Sequence, residues 1–231
     1  MYWLLLLIVV LCVLVHEAKD VIKIAKVRDE FIQQNQIDVS SINRQSVLSQ
    51  IFKRLFDIIV SLFVCLTILP ILYLVLGAII KLTSAGPIIF CQKRIGIFGQ
   101  AFICYKFRSM YENSLDRVAI KGDERVTPVG RFIRKTHLDE FPQFYNVLIG
   151  DMSLVGPRPT IRFVINKLDK HPLYIYRLLV LPGITGLSQV NGRQDMQERM
   201  LDFDFEYLCS QSLWKDLKLI FKTLQFKDES Y

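Results

Sequence analysis

The stretch RVTPVGRFIRKTHLDEFPQFYNVLIGDMSLVGPRP, Arg125 to Pro159, sets two adjacent carboxylates, Asp139 and Glu140, between a basic run (Arg131, Arg134, Lys135) and an apolar helical pattern. It opens at the breaker Thr127-Pro128 and closes in Gly156-Pro157-Arg158-Pro159, whose two prolines enforce a fixed, non-helical path. Between them Phe141, Phe144, Tyr145, Leu148 and Ile149 recur at three- and four-residue spacing, as one face of a helix does. Asp139 is then expected at or near the N-terminus of that helix, with Pro142 in its first turn, where the helix dipole favours an ionised carboxylate. Taken alone, an N-cap Asp followed by a first-turn Glu explains the pair. The density of Arg, Gly and Pro around it exceeds what a cap needs.

Upstream lies the strongest apolar run of the chain, Ile58 to Ile80, uncharged and long enough to cross the roughly 30 Å hydrocarbon core of a bilayer. Pro70 near its middle removes a backbone donor and bends a helix. Basic residues flank both ends (Lys53 and Arg54 before; Lys81, Lys93 and Arg94 after), so both ends are expected on the cytoplasmic side. A segment that enters and returns satisfies both features. Residues 1–15 are also apolar but reach only about 22 Å as a helix, which predicts a short anchor rather than a full span. Lys19, Lys23, Lys26 and Arg28 follow it and orient its C-terminal end to the cytoplasm. Residues 29–50 are polar and read as a linker or a solvated helix.

Between the apolar run and the acidic pair, Ile88–Arg94 and Gln100–Phe107 are short and rich in β-branched and aromatic residues. Gly96 and Gly99 between them predict a β-hairpin with Lys106 and Arg108 at its end. Residues 112–125 read as a surface loop, Ile161–Leu168 as a short helix ended by His171-Pro172, and Tyr174–Val180 as one more aromatic-rich segment. Leu181 to Arg193 holds three glycines and a proline, a composition suited to close approach of backbone to a ligand. From Leu213 the spacing of Trp214, Leu217, Ile220, Phe221 and Leu224 among Lys215, Lys218 and Lys222 predicts an amphipathic helix of interfacial character.

A net charge of +7 on a 231-residue chain that is 52% hydrophobic points to an anionic membrane surface or an anionic substrate. Nucleic acid fits less well, because the basic residues are interleaved with apolar runs and no nucleic-acid motif is present. The five cysteines are odd in number and scattered, and none has metal-ligand spacing with His16, His137 or His171, so reduced thiols are expected.

Several blocks follow one another in order: Lys53-Arg54-Leu55-Phe56-Asp57; Gly86-Pro87 with Phe90, Gln92, Arg94 and Gly96; Tyr105-Lys106-Phe107-Arg108-Ser109-Met110; Leu138-Asp139-Glu140; Gly150-Asp151-Met152-Ser153 running into Gly156-Pro157-Arg158-Pro159; and Pro182-Gly183-Ile184-Thr185-Gly186 through Gln189-Val190-Asn191-Gly192-Arg193. Over roughly residues 51–226 the chain thereby resembles the bacterial sugar transferases, the monotopic polyprenyl-phosphate phosphoglycosyl transferases. The resemblance implies an α+β, mainly helical fold. It implies a monotopic membrane protein with a re-entrant helix kinked at Pro70, amphipathic interfacial helices and a small β-hairpin. Residues 1–50 would be an anchor and linker, and 51–231 the transferase domain, with the re-entrant helix at about 51–81.

The resemblance also implies a reaction: a sugar 1-phosphate passes from a UDP-sugar to polyprenyl (undecaprenyl) phosphate, leaving UMP, as the first membrane step of a bacterial surface glycan pathway. Asp139 would be the nucleophile, and Glu140 a metal ligand or an aid to the second step. Lys106, Arg108, Arg134, Arg158 and Arg193 lie in the shared blocks and would bind phosphate, for which arginine's planar fork is suited. Oxygen-only candidate ligands, Asp139 and Glu140, favour Mg²⁺. The expected setting is the inner, cytoplasmic membrane, among its lipids and facing the cytoplasm, without nucleic acid; a homo-oligomer is admitted but not required. A non-catalytic scaffold of the same fold, or a phosphatase working through an aspartyl phosphate, are the alternatives. The shared motifs do not select the sugar.

Overall fold

A computed structural model describes residues 2–111, 122–161, 169–191 and 197–225, with side chains from residue 15 onward and residues 197 and 198 excepted. The chain is mainly helical with two small two-stranded sheets, an α+β architecture. Helix α1 spans Tyr2–Gln34, so the apolar N-terminal run and the polar stretch after it begin as one continuous helix. No Gly or Pro interrupts this region, and Gln36, in the left-handed conformation at φ 51°, ends it. The expected linker is thus partly a packed element. Ile32 and Ile37 are buried in the main core, and Glu17 pairs with Arg54 at 2.9 Å.

The apolar run is two helices, α2 (Val47–Leu66) and α3 (Ile68–Thr83), which meet at Thr67 and bend by 45°. Pro70 lies in the first turn of α3, where the proline has no N–H to return to Leu66. Thr67 Oγ1 donates to Phe63 O at 2.7 Å across the break. Among the described residues no single helix is long and apolar enough to cross a membrane, whereas the bent pair together meets that test.

The hairpin forms as expected: β1 (Ile89–Ile95) pairs antiparallel with β2 (Ala101–Phe107) in the register Phe90↔Lys106 and Arg94↔Phe102. Phe98 at φ 53° and Gly99 at φ 77° turn the chain between them. Helix α4 (Pro128–Lys135) then leads to α5 (Gln143–Ile149). The buried face of α5 is Gln143, Asn146 and Val147, not the aromatic one read from periodicity; Tyr145 and Ile149 are exposed. The reason is Asn146, fully buried. Its Nδ2 donates to Ile103 O at 2.7 Å and its Oδ1 accepts from Tyr105 N at 3.1 Å, which locks α5 to β2.

A second sheet, absent from the sequence reading, pairs β3 (Ser153–Val155) with β4 (Gly183–Thr185) in parallel. Gly156, Gly183 and Gly186 pack backbone on backbone. A Cβ on Gly183 would stand 2.1 Å from Gly156 N, and one on Gly186 would stand 2.2 Å from Gly156 O. A 3-10 segment, Pro172–Leu179, precedes β4; His171 Nδ1 caps it by accepting from Leu173 N at 3.3 Å. Helices α6 (Leu187–Val190), α7 (Gln197–Cys209) and α8 (Leu213–Gln225) complete the chain. The main core gathers Val147, Met152, Leu154, Val155, Leu187, Tyr207, Leu208 and Leu219, and a second cluster sets Leu76 and Ile80 of α3 against Phe107 and Ile133. The expected Ile161–Leu168 helix and most of the 112–125 loop lie outside the described residues.

Candidate active site

Local chain chemistry brings the carboxylates inward. Thr127 caps α4 by accepting from Gly130 N at 2.8 Å, with Pro128 at the first helical position. A Cβ on Gly130 would stand 1.9 Å from Ser109 O, so the α4 N-terminus lies directly on the chain that leaves the hairpin. At the far end His137, left-handed at φ 56°, turns the chain back, and Leu138–Glu140 coils into one 3-10 turn. Asp139 and Glu140 are both buried there. The expected position near the α5 N-terminus holds, but α5 has only seven residues and Pro142 precedes it, so burial rather than a helix dipole governs these acids.

Three cations meet the pair. Lys106 Nζ donates to Glu140 Oε1 at 2.7 Å, and Arg158 Nη2 donates to the same oxygen at 2.8 Å. Arg134, reaching over from α4, donates from Nε to Ser109 Oγ at 2.7 Å and acts on Asp139 through its charge. Burial pushes the Asp139 carboxyl up to about 6; Lys106 opposes this, the neighbouring Glu140 charge adds to it, and Arg134 and Arg158 oppose it. Two acids and three bases in one low-dielectric cluster form a site that can hold an anionic group close to a carboxylate.

The other predicted site residues fall elsewhere. Arg108 is buried with its guanidinium on the carbonyls of Ser84 (2.8 Å) and Ala85, at the C-terminal end of α3. Arg193 lies outside the described residues. Pro70 sits at the α2–α3 break, as above.

Residues outside the predicted set hold the site together. Lys53 Nζ donates to Asp216 Oδ2 at 2.6 Å and to Val155 O at 3.2 Å, tying α2 to α8 and β3. Arg54 donates to Val147 O and Leu148 O, fixing the C-terminal end of α5 against α2. Asp57 accepts from Ser153 Oγ at 2.7 Å and Leu154 N at 3.2 Å. Arg94 and Arg177 bind carbonyls of the Pro157–Thr160 segment. Arg177 carried one legible signal: a lone charge inside an apolar run, which must find a partner if buried.

A buried acidic pair in the turn between α4 and α5, held by a lysine of the hairpin and by an arginine, defines a site for binding anionic groups, and comparison with known proteins gives the family. The bacterial sugar transferase family matches residues 48–227, and the chain belongs to that family. It is 46% identical over 190 residues to a UDP-glucose:undecaprenyl-phosphate glucose-1-phosphate transferase of Klebsiella pneumoniae, covering 77% of this chain and 40% of that protein. It is 45% identical over 162 residues to a UDP-N-acetylgalactosamine-undecaprenyl-phosphate N-acetylgalactosaminephosphotransferase of Aeromonas hydrophila, covering 67% of this chain and 38% of that protein. To an undecaprenyl-phosphate galactose phosphotransferase of Salmonella typhimurium it is 40% identical over 195 residues, covering 76% and 40%. The match thus spans about two fifths of the length of these relatives.

Proposed function

We propose that this chain transfers a sugar 1-phosphate from a UDP-sugar to polyprenyl phosphate, forming a polyprenyl-diphosphate-sugar and UMP, through a covalent intermediate on Asp139. The observation that carries the proposal is the Asp139–Glu140 pair, buried, with Lys106 and Arg158 on one Glu140 oxygen, in a chain of the sugar transferase family. The names of the three relatives support the substrate classes.

The Asp139 carboxylate attacks the β-phosphorus of the UDP-sugar. The bond from that phosphorus to the bridging oxygen breaks, and UMP leaves with the electron pair. A phosphate oxygen of the polyprenyl phosphate then attacks the same phosphorus, the acyl-phosphate bond breaks, and the Asp139 carboxylate is restored. Both substrates are anions, so their approach to a carboxylate requires the positive charge of Lys106, Arg134 and Arg158. An ionised Asp139 needs no general base.

The donor set fits Mg²⁺: two carboxylates, with no group of three His, Cys, Asp or Glu among the described residues that could cage a metal alone. Asp139 and Glu140 would hold the ion, with substrate phosphates completing its shell, and its chemistry would be neutralisation of phosphate charge. The Lys106 and Arg158 contacts orient Glu140 for that role.

The 45° bend of α2–α3 and its exposed apolar side chains, among them Ile59, Phe63, Ile71 and Leu74, support a segment that enters the inner membrane from the cytoplasm and returns. Exposed Trp214, Phe221 and Leu224 on α8 support an interfacial helix beside it, with Lys218 lying over Trp214 at 5.6 Å. Such a site faces the cytoplasm, where UDP-sugars are.

The test is purified protein in nanodiscs with UDP-glucose, UDP-galactose and UDP-N-acetylgalactosamine. The expected result is UMP formation that is catalytic only with polyprenyl phosphate, stoichiometric with enzyme in its absence, and stopped by chelation. UDP as product would overturn the reading. Sugar phosphate released to water at a rate indifferent to the lipid would identify a phosphatase.

A further inference from the structure

Four consecutive carbonyls of the segment that carries Arg158 are bound by donors from three parts of the fold: β4, the 3-10 segment before it, and β1. Pro157 O accepts from Gly183 N at 2.9 Å and Thr160 O from Ile95 N at 2.9 Å. Between them, Arg158 O accepts from Arg177 Nη2 at 2.6 Å and Pro159 O from Arg94 Nη1 at 2.6 Å. At the start of the segment Gly156 N donates to Thr185 O at 2.9 Å. The two prolines fix their own φ and bring no N–H of their own. The path of the segment is therefore set by outside donors, and two of these are guanidinium groups, Arg177 buried and Arg94 half-buried.

Each guanidinium is itself held. Arg177, buried, pairs with Asp204 Oδ2 at 3.2 Å, and Ser188 Oγ donates to Asp204 Oδ1 at 3.2 Å. Its guanidinium also lies over the Tyr174 ring at 5.9 Å. Arg94 donates to Gln92 Oε1 from Nε at 3.2 Å and from Nη2 at 2.9 Å. Burying two positive charges is unfavourable unless partners compensate. An amide or hydroxyl donor to the same carbonyls would have avoided that cost, so stability alone does not account for arginines here.

We propose that Arg94 and Arg177 are positioning residues: by gripping Pro159 O and Arg158 O they fix the backbone from which the Arg158 side chain reaches Glu140, and so set the cationic side of the site. The proposal rests on the transferase reading for what Arg158 does, but not for how it is held. Electrostatics agree with the geometry. Burial lowers the Arg94 pKa, and the nearby Arg158 charge adds to that effect. Asp204, raised to about 6 chiefly by burial with Arg177 and Ser188 opposing, stays mostly ionised at neutral pH and so remains the counter-charge that keeps Arg177 in place.

The experiment uses the full chain in nanodiscs and two kinds of variant. Arg177→Lys keeps the charge on a shorter side chain, which ends short of the Nη2 position from which Arg177 meets both Asp204 Oδ2 and Arg158 O. The pair Arg177→Met with Asp204→Leu removes both buried charges together, a replacement that buried ion pairs tolerate without loss of fold. Amide hydrogen exchange over residues 156–161 should rise about tenfold or more in either variant, with α2 unchanged. In a double-mutant cycle, Arg177→Lys should lower UMP release about tenfold in the native background and less than about twofold once Arg158→Lys is present. Unchanged exchange at 156–161 in folded protein overturns the proposal, as does a tenfold effect that persists in the Arg158→Lys background. If the native protein forms no UMP, the transferase reading fails by itself and the exchange experiment still decides the positioning role.

Discussion

In the proposed mechanism Asp139 has to be an anion to attack phosphorus, yet burial raises its pKa to about 6. UMP release should therefore fall about tenfold per pH unit below pH 6, as the carboxylate takes up one proton. Stability should move the opposite way for this group. A carboxyl whose folded pKa is raised contributes stability that is fully present below its ordinary value near 3.9 and is lost as pH rises through about 6. Activity and this part of the stability are thus opposed, and a pH series of UMP release beside thermal unfolding would display both slopes. Asp139→Asn should lower UMP release by at least about 1000-fold and abolish the adduct, with little loss of fold, because the amide matches the acid in shape but is not nucleophilic. Normal turnover in that variant would end the proposed mechanism. Glu140→Gln leaves Lys106 and Arg158 facing a neutral oxygen, and a fall of roughly 100-fold or more in turnover is expected, with some adduct still trapped by mass spectrometry. The acidic pair and its Lys106 and Arg158 partners were legible through the family resemblance, since each lies in a block that carries it; taken alone, Lys106 reads as a solvated charge at the end of a hairpin. Arg177 shows in the sequence only as a lone charge in an apolar run; its role depends on a carbonyl 19 residues away in the chain.

Elements with a local cause were legible, and those made by distant pairing were not. The hairpin follows from β-branched runs around Gly96 and Gly99, and the helix break from Pro70. The β3–β4 sheet has three-residue strands joined only in the fold, too short for any alternation to show. Its glycines signal a close approach, but composition alone does not tell that the backbone of Gly156 is what comes close. Gly183→Ala would set a Cβ 2.1 Å from Gly156 N, which no side-chain rotation can relieve. A loss of at least about 3 kcal/mol is expected, seen as a lowered melting temperature. For the α2–α3 pair the test is topology. Lys53 is half-buried and engaged with the buried Asp216, so single cysteines belong at the exposed Arg44 and Lys81 in a cysteine-free background. Both should resist an impermeant thiol reagent in intact cells and react after permeabilisation; labelling of one alone in intact cells contradicts re-entry. Pro70→Leu restores the missing donor, and should expose one flank and lower activity without touching a catalytic group.

At the scale of the molecule, the N-terminal helix is part of the fold as well as a candidate anchor. A protein beginning at Ser46 loses Glu17, Ile32 and Ile37 together. Burial of the two isoleucines corresponds to roughly 3–6 kcal/mol, which should appear as a lower melting temperature. Arg54 keeps its α5 carbonyls in that truncation, so UMP release at low temperature should stay within about tenfold of the full chain, and the protein should remain in the membrane fraction. Complete solubility would count against the membrane role of α2–α3. The Lys53–Asp216 pair carries a different consequence, one of time. Its partners lie 163 residues apart in the chain. At a synthesis rate of about 5–20 residues per second, roughly 8–30 s pass between the making of the lysine and of the acid that neutralises it. For most of that interval the apolar α2–α3 pair is already complete, while the cation at its base lacks Asp216 and has only Asp57 of its own helix and, once made, Val155 O. The interior that Lys53 and Asp216 share can close only once α8 has been made, so α8 acts on the earlier elements as a latch.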